Sequence, residues 1–186
     1  MDVDAIVLAG GRGSRLGGVD KSALEIDGET LLARTLRAVA RADRVIIVGD
    51  VVEPDHIVVR EEPRFAGPAA AIGAGLAEAR ASYVLVLPCD QPFVHEAVGI
   101  LIAAASGDGA IAVDGSGRRQ HLMAVLSTDA LRGSVAAQST LTDLSVRALL
   151  APLDLVEVAV PARSALDIDT WHDRNQVLAQ GGGRDG

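Results

Sequence analysis

Short apolar runs alternate with stretches of helical period along most of the chain. Residues 5–8 (AIVL), 45–48 (VIIV), 56–59 (HIVV) and 83–87 (YVLVL) are rich in β-branched and aliphatic side chains and lack polar alternation. That is the pattern of strands covered on both faces of a sheet. Between them, residues 30–42 (TLLARTLRAVARA) place Leu31, Leu32, Leu36, Val39 and Ala40 on one helical face. Residues 68–80 (PAAAIGAGLAEAR) open on a proline suited to a first helical turn, although Gly73 and Gly75 weaken the helix that follows. Farther along, residues 96–105 and 128–137 read as helices and residues 110–113 and 122–126 as strands. Residues 153–160 (LDLVEVAV) alternate in the manner of a strand with one exposed face. A last extended piece is expected at residues 165–169, with Thr170 as the N-cap of a helix beginning at Trp171. Alternating strands and helices predict one α/β domain, a mostly parallel sheet with helices on both faces. It spans residues 1–180, and residues 181–186 (GGGRDG) form a flexible tail.

In such sheets ligands bind beyond the carboxyl ends of the strands, and there the sequence departs from a packing pattern. Residues 7–21 (VLAGGRGSRLGGVDK) hold five glycines, two arginines and a lysine directly after the first strand. Glycine contributes no side chain to a core, whereas a glycine loop exposes backbone N–H groups that bind phosphate oxygens. Arg12, Arg15 and Lys21 add positive charge within the same reach. The stretch is not a P-loop, because Asp20 precedes Lys21 and Ser22 where a glycine is required. Nor does it have the dinucleotide spacing G-x-G-x-x-G, since three residues separate Gly13 from Gly17. An NAD-binding reading therefore fails here, even though Asp50 sits at the end of the second strand.

Composition narrows the ligand. The 186-residue chain carries a formal net charge of -8, which argues against wrapping a nucleic acid. A phosphate partner must be held locally. The single cysteine, Cys89, precludes an intramolecular disulfide. Only four residues precede the first apolar run, and no run reaches the length of about 18 residues that spans a bilayer. A soluble cytoplasmic protein is the expectation. The four histidines, at 56, 95, 121 and 172, lack a zinc-binding spacing.

The run from Leu8 to Gly17 (LAGGRGSRLG) resembles, position by position, the L-A-G-G-x-G-x-R-x-G signature of nucleotidyltransferases with the glycosyltransferase-A-like fold, which is a Rossmann-like three-layer α/β/α domain. Gly18-Val19-Asp20-Lys21 resembles the G-x-D-K ending of the molybdenum cofactor guanylyltransferases, the MobA family. Leu87-Pro88-Cys89-Asp90-Gln91-Pro92-Phe93 is similar to that family's L-P-C-D-x-P-F segment. This resemblance implies that Asp90 holds a catalytic Mg²⁺ ion, consistent with the preference of Mg²⁺ for one or two carboxylates plus substrate phosphates. It further implies nucleotide contacts from Leu8, Ala9, Gly10, Gly11, Gly13, Arg15, Lys21, Glu62, Gly67 and Asp90, with Lys21, Arg15 and Asp90 catalytic. Glu62 replaces the usual aspartate of the segment before Gly67-Pro68. Asp167-Ile168-Asp169-Thr170 resembles the D-x-D-T ending of the wider superfamily, at which the best-known guanylyltransferases carry asparagines; the resemblance makes Asp169 a second metal ligand, and Asp169-Thr170 also reads as a helix cap. Gln120-His121-Leu122 resembles a strand near the acceptor.

The reaction implied is transfer of GMP from GTP to molybdopterin with release of pyrophosphate. Its acceptor is a phosphate monoester, already largely dianionic at pH 7, so no general base is needed. Cys89, with no activating partner in view, is assigned to packing. The motifs leave the base open between GTP and CTP, and a nucleotide-binding accessory protein without turnover is the reading from another class.

Overall fold

The computed structural model of the chain describes residues 1–10, 21–168, 170, 171, 173–175 and 177. Its elements follow in the order β1 (Val3–Leu8), β2 (Glu25–Ile26), β3 (Glu29–Thr30), α1 (Leu31–Ala38), β4 (Val45–Val48), β5 (Ile57–Val59), α2 (Pro68–Glu78) and β6 (Tyr83–Pro88). After these come α3 (His95–Ala104), β7 (Gly109–Val113), β8 (Arg119–Ser127), α4 (Thr128–Ala136), α5 (Val146–Leu150) and β9 (Val156–Ala159). Seven strands form one sheet in the order β5-β4-β1-β6-β8-β7-β9. Every neighbouring pair is parallel except the two that involve β8. The sheet is therefore mostly parallel, as the alternating pattern predicts.

Strand β1 shows how the layers arise. Ala5 and Val7 point into one core with Leu32 and Val39 of the α1 region and Val94, Ala97 and Leu101 around α3. Ile6 and Leu8 point into the other, with Ile72 and Leu76 of α2, Leu131 of α4 and Leu149 of α5. Every residue of β1 is buried, which explains why its sequence carries no polar alternation.

The two glycines that weaken α2 as a helix are explained by its packing. A Cβ on Gly75 would lie 2.7 Å from Ile6 Cγ2 and 3.1 Å from Val48 Cγ2, so the missing side chain lets α2 lie close on the sheet. A Cβ on Gly73 would lie 2.5 Å from Leu141 Cδ1. Tertiary packing here outweighs the helix propensity lost.

Several elements differ from the sequence expectation. Helix α1 ends at Ala38 and leaves Ala40 exposed. Of the extended piece expected at residues 165–169, Ala165 closes a 3-10 turn, Ala162–Ala165, Leu166 is extended, residues 166–168 join no strand, and Asp169 lies outside the described residues. Ile168 N–H donates to the Asp90 carbonyl at 3.0 Å, so this segment is used to brace a turn. The hairpin β2–β3 and helix α5 were not anticipated. Thr170 does cap: its Oγ1 accepts from Asp173 N–H at 3.2 Å, and its own N–H donates to Asp173 Oδ2 at 2.7 Å. Among the described residues no helix is long and apolar enough to cross a membrane.

Gly75→Val is expected to overpack the contact between α2 and the sheet and to destabilise the fold by about 1–3 kcal/mol. Gly99→Ala, in α3 where a Cβ meets nothing within 4 Å, is expected to stabilise by up to about 1 kcal/mol. Urea denaturation of the two variants beside the parent checks both signs.

Candidate active site

Strands β1, β4, β5 and β6 run in one direction, and their carboxyl ends are tied together. Ala9 N–H donates to the Val48 carbonyl at 2.9 Å, Gly49 N–H to Val59 at 2.9 Å, and Cys89 N–H to Leu8 at 3.1 Å. Leu8 and Ala9 bury their side chains, and Gly10 is the first exposed residue of the glycine loop. A Cβ on Gly49 would sit 2.8 Å from both the carbonyl carbon and the oxygen of Ala9. Glycine at 49 is thus what allows β4 to close on the entrance to the loop, a role hidden behind its more obvious function as a strand terminator. Gly11, Arg12, Gly13 and Arg15 lie outside the described residues.

Where the chain is described again, Lys21 opens a 3-10 turn, Lys21–Ala23, whose Ser22 is buried. Leu24 N–H returns to the Lys21 carbonyl at 3.1 Å, and Leu31 N–H donates to the Leu24 carbonyl at 2.8 Å. Between these bonds lies the β2–β3 hairpin, in which Ile26 pairs with Glu29 across Asp27-Gly28. Both turn residues have positive φ, 53° and 78°, as a type I′ turn requires. Asp-Gly at that point is the signal that could have revealed the hairpin. Arg34 locks it from α1, donating to the Ile26 carbonyl at 2.6 Å and lying 3.7 Å from Glu29.

A small second core joins this hairpin to the C-terminal segment: Leu24, Ile26 and Leu31 pack with Ile168 and Val177, and Phe93 lies against them. The same packing brings Lys21 to Asp90, with Nζ 3.4 Å from Oδ2. Their side chains are 23% and 27% exposed, so the pair contributes little to stability. What matters is placement, because a mobile cation and a carboxylate meet at the carboxyl end of β6, beside the end of β1. Cys89, by contrast, is buried in the core, in line with a packing role.

The donor set suits a divalent cation that is shared with substrate. Among the described residues no group of three or more His, Cys, Asp or Glu side chains could hold a metal ion. Asp90 offers one hard carboxylate, which is the protein share expected where phosphates and waters complete an octahedral Mg²⁺. Asp167 is exposed, and Asp169 lies outside the described residues.

Two flanks complete the site. On the β4–β5 side, Glu62 is exposed, and Gly67, at φ 97°, is the N-cap of α2. The Ala66 carbonyl accepts from Asp143 N–H at 2.8 Å, which pins this loop to the approach to α5. Asp50 pairs with Arg60 at 3.0 Å and also with Arg64, so it serves as an anchor for two arginines. On the β6–β8 side, β8 is antiparallel and brings its first residues to the same edge. There Gln120 Nε2 donates to Asp114 Oδ2 at 2.7 Å. Burial, and after it the charges of Arg119 and Arg147, hold His121 below the ordinary imidazole range, so it is neutral at pH 7. Gln91, next to Asp90, is buried, and its Oε1 has no hydrogen-bond partner among the described residues. A buried acceptor left so costs about 1–3 kcal/mol. Sequence reading passed over this residue.

Comparison with known proteins agrees with the geometry. The model of the MobA-like NTP transferase domain matches residues 5–158. A molybdenum cofactor guanylyltransferase of Pseudomonas putida is 36% identical over 130 residues, which are 65% of this chain and 68% of that protein. Another, from Shewanella sp. strain MR-4, is 30% identical over 146 residues, 74% of each chain. Among solved structures, the homologue of Mycobacterium tuberculosis Rv0371c from Mycobacterium sp. strain JC1 superposes with a TM-score of 0.76 at 26% identity, covering 96% of both chains. The sheet, its tied strand ends and the match across most of the sequence together show that the chain belongs to the MobA-like NTP transferase domain family and is a nucleotidyltransferase.

Proposed function

We propose that residues 1–180 form one nucleotidyltransferase domain that, with Mg²⁺ in the cytoplasm, transfers GMP from GTP to molybdopterin and releases pyrophosphate. The observation that carries this reading is the approach of Lys21 to Asp90 at the carboxyl end of β6. The names of the relatives in Pseudomonas and Shewanella support guanine as the base and molybdopterin as the acceptor.

In this reading the backbone N–H groups of Gly10, Gly11 and Gly13 cradle the triphosphate, and Arg15 and Lys21 balance its charge. Leu8 and Ala9 set the loop at its height above the sheet, while Glu62 and Gly67 border the nucleoside on the β5 side. Asp90, with Asp169 as a second ligand, would hold Mg²⁺, which would supply charge neutralisation at the α-phosphate and the departing pyrophosphate. An acceptor phosphate oxygen attacks the α-phosphorus in line; the bond to the bridging oxygen breaks, and that oxygen leaves with pyrophosphate. No proton has to be removed from the dianionic acceptor, so alignment and positive charge are sufficient. His121, neutral at the edge of the site, is not required as a base.

Lys21→Ala is expected to lower the rate of pyrophosphate release by about 100-fold or more, the scale of losing one charge-stabilising donor. Its unfolding midpoint is expected to stay near the parent's, because the pair it breaks is partly solvated. Near-parental turnover would remove Lys21 from the mechanism.

Calorimetric titration of GTP, CTP, UTP and ATP in Mg²⁺ is expected to show a preference for GTP, weakened about tenfold or more by Asp90→Asn. Preference for CTP would transfer the assignment to a cytidylyltransferase, and binding without Mg²⁺-dependent pyrophosphate release would leave a nucleotide-binding accessory protein.

A further inference from the structure

Gln91 has no evident structural reason to be where it is. It is 7% exposed, and its Oε1 is buried without a partner among the described residues. The backbone of its turn, by contrast, is well occupied. The Gln91 carbonyl accepts from Val94 N–H at 3.2 Å, and the Asp90 carbonyl accepts from Ile168 N–H. An apolar side chain of similar size would fill the same place with no orphaned acceptor. With no partner among the described residues, the Oε1 is left for a donor supplied by a bound ligand.

We infer that the Gln91 carboxamide is a binding residue for the acceptor, taking an N–H hydrogen bond from a lactam edge such as the 2-amino-4-oxo face of a pterin. The inference rests on the guanylyltransferase reading for the identity of the acceptor. An amide oxygen can only accept, so the ligand must present N–H or O–H. A pterin lactam presents adjacent N–H donors and a carbonyl, and the carboxamide complements both with Oε1 and Nε2. Guanine carries the same edge, and position in the fold decides between the two. The loop bearing Glu62 and Gly67 follows β5, whereas Gln91 follows β6, with β4 and β1 between these strands in the sheet. The turn bearing Gln91 docks instead against residues 162–168: Arg163 pairs with Glu96 and lies 5.2 Å from the centre of the Phe93 ring. On the reading that sets the nucleoside beside Glu62 and Gly67, this side of Asp90 is left for the acceptor. Ser164, in the opposing segment, also has a buried Oγ without a partner among the described residues, but no part of that residue reaches the surface, whereas Gln91 keeps 7% of its surface exposed. Ser164 provides the control.

The test measures steady-state pyrophosphate release against molybdopterin and against GTP for the parent, Gln91→Met, Gln91→Leu and Ser164→Ala, with a thermal melt of each. Calorimetry with a simple pterin alcohol gives a readout that does not depend on turnover. Either Gln91 variant is expected to raise the KM for molybdopterin about tenfold or more and to weaken the pterin equally. The KM for GTP is expected to stay within twofold, and the melting temperature to be equal or higher. Ser164→Ala is expected to leave both KM values unchanged. An unchanged acceptor KM would overturn the inference, as would a rise confined to GTP or an equal effect from Ser164→Ala. A parent that turns over no molybdopterin would overturn the guanylyltransferase reading itself, and the inference with it; a working parent with unaffected variants overturns only the role of Gln91.

Discussion

The parallel pairing of β1 with β6 is the constraint from which the rest of the site follows. Its register sets Leu8 opposite Pro88, so the glycine loop and the turn carrying Asp90 leave the sheet side by side. Both strands are buried along nearly their whole length and draw side chains into two cores, and a one-residue slip would exchange those faces. Packing energy thereby fixes a distance that matters chemically. The hydrogen bond from Cys89 N–H to the Leu8 carbonyl then carries this alignment one residue beyond the last strand pair, to the threshold of Asp90.

Around that fixed point the chain assembles its charged groups from distant parts of the sequence. Asp90 stands on the core itself. Lys21 is held by a hairpin that has little core of its own, which Arg34 and the small cluster of Ile26, Leu31, Ile168 and Val177 secure. Overall the protein is acidic, with a net charge of -8. For such a chain, attraction of a triphosphate cannot come from the general field and has to come from short-range groups: loop amides, a few basic side chains, and a divalent cation. This accounts for placing the lysine on a braced turn.

Legibility in the sequence followed physical type. Strands covered on both faces were readable, because continuous β-branched runs have few other uses, and all four of the clearest runs lie in the sheet at nearly the expected bounds. Helix α2 was readable only in part. Its glycines argue against a helix until the opposing surface is known, since the reason for Gly75 is the position of Ile6 on another element. The extended segment expected at residues 165–169 was readable only in part for a similar reason: Leu166 is extended, but the Ile168 N–H is claimed by the Asp90 carbonyl, 78 residues away in sequence, and not by a strand. Of the site, Lys21 and Asp90 were legible through motif, and the structure brings them together. Gly49 and Gln91 were not, because the significance of each lies in a contact, one too close for a Cβ and the other unmade.

Gln91 and Asp4 show how the unmade contact differs from a structural one. Asp4 is also a buried polar residue whose Oδ1 has no partner among the described residues, but its Oδ2 accepts from the N–H groups of Arg80 and Ala81 at 2.6 and 2.9 Å. Those bonds hold the exit of α2 at the amino ends of the strands, opposite the site, and they offset the cost of leaving one lone pair idle. The Gln91 Oε1 has no compensation of this kind among the described residues, and it stands beside Asp90, which the family resemblance assigns to the metal. A polar group that is costly to the folded chain and adjacent to the reacting centre has its natural compensation in a bound substrate, because a site built to form a hydrogen bond discriminates most strongly against ligands that lack the matching donor. Selectivity for a lactam-bearing acceptor then needs no aromatic platform, which fits a chain with only two phenylalanines, one tyrosine and one tryptophan.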